Sequence, residues 1–556
     1  MKYELTPRSI KAIGEAHDRY WEEYRHELFK YKSAYETQFW SKHASQDQQI
    51  YIQTADAYGY IESYISSLFT RNPGVIVKGG IRGRGDAEIT QAVVNNWLIK
   101  QRNTIEDAAR LALLYPMSFV KILPTRSEDL YTKMDMVAVP PWEIIVDRDA
   151  RRWEDCRYVG HKYYINLVDA THRFGNKQFD PVEKVDYFQK YMFEKDKEAD
   201  FYDSSFDYYK FIEVTEIFDL HTRQVYFWTP NWAQGDKFLL KEEIPFIDTQ
   251  GQPVIPIVPL YFNRIPDCPL DGYSAMRRIY DQIYETNLIR TFQANAVRKA
   301  SRQYLVRRGA LDEEQMAQIT TGIDGLFVEV DDDDLAGVVR PLPQNPTPPE
   351  LEYYYQQVQS DKDKGSILAP FTRGESTRAS ATEIAALAAY TSSEVGRLAR
   401  ERDGMIEGVS KVYVNMLRLY MDVENVRDVI QIGNAPRAVV ASDLDEAWEI
   451  YAQDQASTPI SESVRKREFI QSIPLLQTLG VPNTTLLEEM VRSLGLPESF
   501  MADAQKNLKE QAAAMASAAK AEASGQAIGP DAVELQQMSQ PIGPQNLQTI
   551  LPPGGK

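Results

Sequence analysis

One segment limits the possible folds more than any other. A helix capped by Asp271 or Ser274 meets no breaker before about Gln303. At 1.5 Å per residue such a helix spans roughly 50 Å. Its apolar stripe, Met276, Ile279, Ile283, Ala294 and Val297, is thin and interrupted by Asn287. A rod of that length with so little apolar surface needs lateral neighbours, and further copies of the same chain would supply them.

The flanking sequence supports an α+β organisation. Before the rod, the aromatics Tyr20, Trp21, Tyr24, Tyr31, Tyr35, Phe39 and Trp40 fall at helical spacings, and a second helix is expected over residues 45–69. A third runs from about 86 to 115. Strands are expected at 118–123, 134–139, 142–146, 157–164, 211–218 and 225–228, forming a partly antiparallel sheet. Residues 180–207, aromatic and charged with little periodicity, read as an exposed insertion. After the rod come a small α/β insert with strands at 303–306, 325–330 and 338–342, and a helix over 349–368. A glycine-bearing loop then precedes a long helix, which opens on the capping box Ser380-Ala381-Thr382-Glu383. That helix should end near 421, with Ile384, Leu387, Thr391, Val395, Leu398, Met405, Val409 and Val412 as its buried stripe. Strands at 429–432, 438–441 and 448–452, a helical region from Thr458-Pro459 and a Gln/Pro/Gly-rich tail complete the chain.

Composition narrows the function. With 43% hydrophobic and 26% charged residues, a packed core is affordable and wholesale disorder is excluded. The 80 acidic residues outnumber 62 Lys and Arg, for a net charge of −18, so the chain does not coat nucleic acid through a general basic surface. Cys156 and Cys268 form no disulfide framework and no thiolate metal site, which fits a reducing compartment. The start, Met1-Lys2-Tyr3-Glu4-Leu5, lacks the apolar core of a signal peptide, and no run of 18 apolar residues occurs. The expectation is a soluble protein made in a cytoplasm, with no membrane partner.

Catalytic patterns are missing. The six histidines have no metal spacing, and the glycine-rich residues 79–85 lack the Lys-Ser or Lys-Thr of a phosphate loop. Asp331 to Asp334 read as a solvated hairpin turn rather than a cation site, because consecutive side chains cannot converge on one ion. Glu143, Asp147, Asp149, Glu154 and Asp155 resemble a two-metal cluster only superficially. The expectation is no enzyme, no metal and no cofactor. Arg298, Lys299, Arg302, Arg307 and Arg308 crowd the end of the rod. They fit either a solvated helix end, favoured by the dipole, or a local contact with phosphates.

The order of these parts resembles the portal, or head-to-tail connector, protein of tailed double-stranded DNA phages, particularly the podovirus type. Local stretches carry the likeness: Leu68-Phe69-Thr70-Arg71-Asn72-Pro73, Val139-Pro140-Pro141-Trp142-Glu143-Ile144-Ile145-Val146-Asp147, Asp271-Gly272-Tyr273-Ser274 and Ala379-Ser380-Ala381-Thr382-Glu383-Ile384. The resemblance covers about residues 46–496. It implies a mainly helical α+β portal fold assembled as a ring, with residues 1–266 and 425–457 as wing, 267–303 and 349–368 as stem helices, and 304–348 as clip. Residues 369–379 would be the tunnel loop, 380–424 the long helix behind it, 458–524 the crown and 525–556 a flexible tail.

By the same resemblance, some twelve copies would sit at one vertex of the virion capsid, against the major capsid protein. Double-stranded DNA would be packaged and ejected through the ring, while terminase and later a tail adaptor dock to the clip. Arg373, Glu375 and Arg378 would then face the channel. The clip strands are too short to bury a core alone and are expected to pair between subunits. Two alternatives stay open, another head-tail assembly protein such as an adaptor, and a DNA-processing enzyme.

Overall fold

A computed structural model describes residues 4–40, 50–70, 72–79, 87–126, 132–175, 177–184, 187–188, 210–247, 251–266, 268–300, 304–306, 313–314, 317, 339–341, 349–366, 381–424, 428–432, 435–444 and 448–452. The chain divides into two compact units, Met1–Thr458 and Pro459–Lys556, and all described residues belong to the first.

Helix α1 (Pro7–Tyr35) starts where Thr6 and Ser9 cap each other reciprocally and Pro7 occupies the first helical position. Then follow α2 (Asp56–Leu68), β1 (Val75–Gly79), α3 (Ala87–Lys100), α4 (Arg102–Leu114), β2 (Ser118–Arg126), β3 (Thr132–Val139), β4 (Ile144–Val146) and β5 (Tyr158–Asn166). After α5 (Leu167–Phe174) come β6 (Phe211–Asp219), β7 (Gln224–Trp228), β8 (Leu240–Glu243), β9 (Ile257–Leu260), β10 (Arg264–Ile265) and β11 (Cys268–Gly272). The later elements are α6 (Tyr280–Ala300), β12 (Tyr304–Val306), β13 (Val339–Pro341), α7 (Pro349–Gly365), α8 (Ala381–Glu424), β14 (Asp428–Ile432), β15 (Ala435–Val439) and β16 (Trp448–Ala452).

The architecture is α+β, as expected, and every strand pairing among the described residues is antiparallel. One sheet runs β4-β5-β6-β7-β8 and another β3-β2-β9, with β1–β16, β10–β11, β12–β13 and β14–β15 as two-stranded pairs. The apolar faces of the two larger sheets share a core of Phe119, Val139, Ile144, Val159, Val214, Phe218 and Ile257. A larger core joins α1 to α4, α8 and the start of α6. Through it runs α8, whose Val395, Leu398, Met405, Val409 and Val412 are buried as its periodicity predicts. The side chains of the earlier stripe positions Ile384, Leu387 and Thr391, and those of the capping box, lie outside the described residues.

Several boundaries differ from the sequence reading for physical reasons. The helix expected over 86–115 is two, because Gln101 (φ −92°, ψ 9°) ends one and begins the next. The joint lets Trp97 stack on Tyr413 at 3.9 Å and donate to the Met134 carbonyl, while α4 turns its alanines onto β2 and β3. Within the helix expected over 45–69, residues 50–54 carry no helix and bond instead to α6, and α2 begins at Asp56. Tyr187 and Phe188 are not part of an exposed insertion: Phe188 is buried, and Tyr187 stacks on Trp142 at 4.3 Å. Strands β12 and β13 pair with each other inside one chain.

The rod, expected to include Asp271, begins at Tyr280. Asp271 and Gly272 belong to β11, and Ser274 caps a single 3-10 turn, Ala275–Arg278. The Ser274 hydroxyl accepts from the Met276 amide and donates to the Leu113 and Leu114 carbonyls at the end of α4. Gly272 makes this joint possible. A Cβ there would stand 2.4 Å from the Pro116 carbonyl oxygen and 2.9 Å from that of Asn263, both backbone atoms that cannot swing aside. Gly272→Ala should therefore cost about 1–3 kcal/mol, read as a lower denaturant midpoint at unchanged slope.

Candidate functional site

Several side chains along α6 depart from the usual rule. Thr286, Asn287, Ile289 and Thr291 are buried, while Tyr284, Leu288 and Phe292, four residues apart in one line, are exposed together with Val297. On α7, Val358 is buried and Tyr353 and Tyr354 are exposed. The helix pair thus offers a row of large apolar and aromatic side chains to its surroundings.

The inward polar side has a definite task. Residues 50–54 run extended along α6, antiparallel to it. Asn295 Oδ1 accepts from the Ile50 amide (2.8 Å), and Asn295 Nδ2 donates to the Ile50 carbonyl (2.7 Å). Thr291 Oγ1 accepts from the Ile52 amide (3.0 Å), and Asn287 Oδ1 accepts from the Thr54 amide (2.9 Å). Two residues of strand advance roughly 6.6 Å and four of helix roughly 6 Å, so positions i, i+4 and i+8 meet alternate residues of the extended segment. Further polar contacts fix α7, where Gln359 donates to Thr286 (3.1 Å) and Lys362 pairs with Asp56 (3.0 Å). At the base, Gly365 packs on the Arg278 carbonyl, and Met276, Ile279 and Ile283 enter the main core.

Beneath α6, Asp271 receives a hydrogen bond from the Tyr20 hydroxyl, and Arg148 lies 3.7 Å from the same carboxylate with its guanidinium stacked over Tyr20. Burial raises the Asp271 carboxyl to about 6, against the pull of the Gly272 amide, and burial lowers Arg148.

Of the residues singled out from the sequence, Arg298 and Lys299 fall in the last turn of α6 with side chains outside the described residues. Arg302, Arg307, Arg308, Arg373, Glu375 and Arg378 lie outside the described residues, as do Asp331 to Asp334. The acidic group in 143–155 does not converge. Asp147 makes a two-pronged contact with Arg157 (2.7 and 2.8 Å) that holds its carboxyl below the usual range, and Asp155 pairs with Arg152 (2.9 Å). Among the described residues, no three His, Cys, Asp or Glu gather as metal ligands, and no helix is long and apolar enough to cross a membrane. The Cys156 thiol is pushed up to about 12 by burial, which makes it a poor nucleophile. Sequence reading missed the ladder on α6. The i, i+4, i+8 spacing of Asn287, Thr291 and Asn295 was its signal, read only as an interruption of the apolar stripe.

A family model described as phage SU10 portal protein matches residues 22–434. Among curated proteins, no sequence matches this chain.

Two outcomes follow from this geometry. Thr291→Val with Asn295→Leu removes hydrogen bonds worth about 1 kcal/mol each. Amide exchange at Ile50 and Ile52 should speed up at least tenfold while α8 keeps its protection. Asp271, whose folded value lies above its unfolded one, stabilises the fold fully only below the unfolded value. That contribution is lost as pH rises through about 6. Asp271→Asn should flatten the fall in stability between about pH 4 and 6, measured by urea unfolding across that range.

Proposed function

Since this chain belongs to the phage portal protein family, whose SU10 model covers residues 22–434, we propose that it is one subunit of a ring at a single capsid vertex, through which double-stranded DNA is packaged and later ejected. The family is structural, and the chain's role in this reading is architectural rather than enzymatic.

The observation that carries the reading is the exposed row of α6. Phe292 is 58% exposed, Val297 66% and Tyr353 70%, whereas Asn287 and Thr291, each one position before a member of the exposed row, are buried. A monomer gains nothing by presenting such a row to water, and a lateral neighbour would cover it. The contact joins different surfaces on the two copies, and heterologous contacts of that kind close into rings when the rotation between copies divides a full turn. Twelve copies is the number we propose. Each brings a net charge of −18, and wherever that charge faces a channel it keeps a moving polyanion off the wall.

Other parts of the proposal rest on the order of elements. Residues 304–348, between α6 and α7, would dock terminase and then the tail adaptor. Residues 369–379, between α7 and α8, would reach the channel, with Arg373 and Arg378 touching phosphates and Glu375 between them. Arg298, Lys299, Arg302, Arg307 and Arg308 would contact DNA at the channel's narrow end. The major capsid protein would contact the outer body.

Light scattering on the purified chain should give about 760 kDa for twelve copies of 63.6 kDa, and negative-stain images should show a ring with a central hole. Leu288→Asp with Phe292→Asp should yield monomers with an unchanged circular dichroism spectrum. A wild-type chain that stays monomeric at micromolar concentration would overturn the ring reading.

A further inference from the structure

A cavity of about 1060 Å³ opens between α1, the β2–β3 hairpin and the five-stranded sheet. Its wall combines stacked aromatic rings, Trp142 on Tyr187 at 4.3 Å, with buried charged groups, and both the size and the mixture suit a small-molecule site. At its floor Lys121 is 3% exposed and donates to Glu216 Oε2 (2.5 Å) and to His161 Nδ1 (3.0 Å). A lysine ammonium has only donors, so Nδ1 of His161 is the accepting nitrogen and Nε2 carries the proton. Burial and the Lys121 charge keep the ring neutral by holding its value well below the ordinary one.

Three buried N–H groups on this wall have no acceptor: Trp21 Nε1, Arg25 Nε and His161 Nε2. The nearest carboxylate to His161 Nε2 is that of Glu143, at 3.7 Å, beyond hydrogen-bond reach. Buried donors are nearly always satisfied, so three on one wall point to something that supplies acceptors. Four carboxylates of the wall are already engaged, while Glu242 and Glu243, which also line it, are exposed. Glu216 is held by Lys121, Asp18 and Glu213 by Lys162 (2.8 and 3.2 Å), and Glu22 by Arg25 (2.6 Å). The shortage is one of acceptors, not of donors. A cationic ligand would find those four carboxylates occupied and, like a purely apolar one, would leave all three N–H groups open.

We propose that this cavity is a binding site for a small oxyanion, phosphate or carboxylate, whose oxygens accept from Trp21 Nε1, Arg25 Nε and His161 Nε2. Arg25, Lys121 and Lys162 supply the countercharge, and the stacked Trp142 and Tyr187 shield it from bulk water. The site stands apart from α6 and α7 and does not depend on the ring reading.

The test is calorimetric titration of the full-length chain, in chloride buffer at constant ionic strength, with inorganic phosphate in one arm and citrate in the other. The expected result is saturable binding, one anion per chain, in at least one arm, and the responding arm identifies the source chemistry. Trp21→Phe and Arg25→Met, each removing one open donor, should weaken it at least tenfold while leaving the melting temperature in chloride unchanged. If either variant fails to fold, Arg25→Lys, which keeps the charge but removes the Nε donor, replaces it, and a density map in phosphate against one in chloride locates the anion. No saturable heat in either arm would overturn the proposal. So would binding undiminished in the folded variants, or density showing water alone at the three donors.

Discussion

Ile50, Ile52 and Thr54 run past α6 outside any sheet of the described residues, and a backbone packed against protein must still have its amides and carbonyls bonded. Asn287, Thr291 and Asn295 meet that demand. The consequence reaches across the molecule. The positions of α6 that face residues 50–54 go to amides and a hydroxyl, and Tyr284, Leu288 and Phe292 stay outside, while Ile283 and Ile289 are buried. The same helix that ties the amino-terminal segment to the body also carries the surface on which assembly would depend.

Burial of charge is handled in the same way, by bonding before hiding. Arg402 on α8 is fully buried, pairs with Asp403, donates to the Leu68 carbonyl and faces the Phe69 ring. A lone guanidinium in that core would be very costly; bonded to a helix-end carbonyl and a carboxylate, it locks the end of α2 to α8. Asp271 follows the same logic below α6, with Tyr20, Arg148 and the Gly272 amide around its carboxylate. His17 donates to the Trp142 carbonyl (2.8 Å), and burial lowers it to about 4, so it serves as a neutral brace between α1 and the turn before β4.

Three of the four short stretches that carry the family likeness turn out to be joints of this kind, and the side chains of the fourth, 379–384, lie outside the described residues. Leu68 gives its carbonyl to Arg402, and Asn72 accepts from Arg102 (3.1 Å). Trp142 braces α1, and Asp147, buried, holds Arg157. Gly272 and Ser274 fasten the start of the rod to the end of α4. They share no chemistry that could be mistaken for a catalytic set. What they share is a place where two elements must approach closely, which admits few residue types and so leaves a recognisable local pattern.

The elements legible from the sequence are those whose determinants are local. The stripe of α8 and the alternation in β5 to β7 each rest on residues within a turn or two of one another. The portal resemblance could be read for the same reason, because order along the chain survives without any contact being known. Tertiary structure alone decided what lies far apart in sequence. It set the pairing of Val75–Gly79 with Trp448–Ala452, the break at Gln101 and the burial of Phe188. It also decided that Asn287, which looks like a flaw in an apolar stripe, is the residue that holds Thr54. An amide side chain carries no mark of its partner in the sequence, because the partner is a backbone group 233 residues away that any residue type could provide.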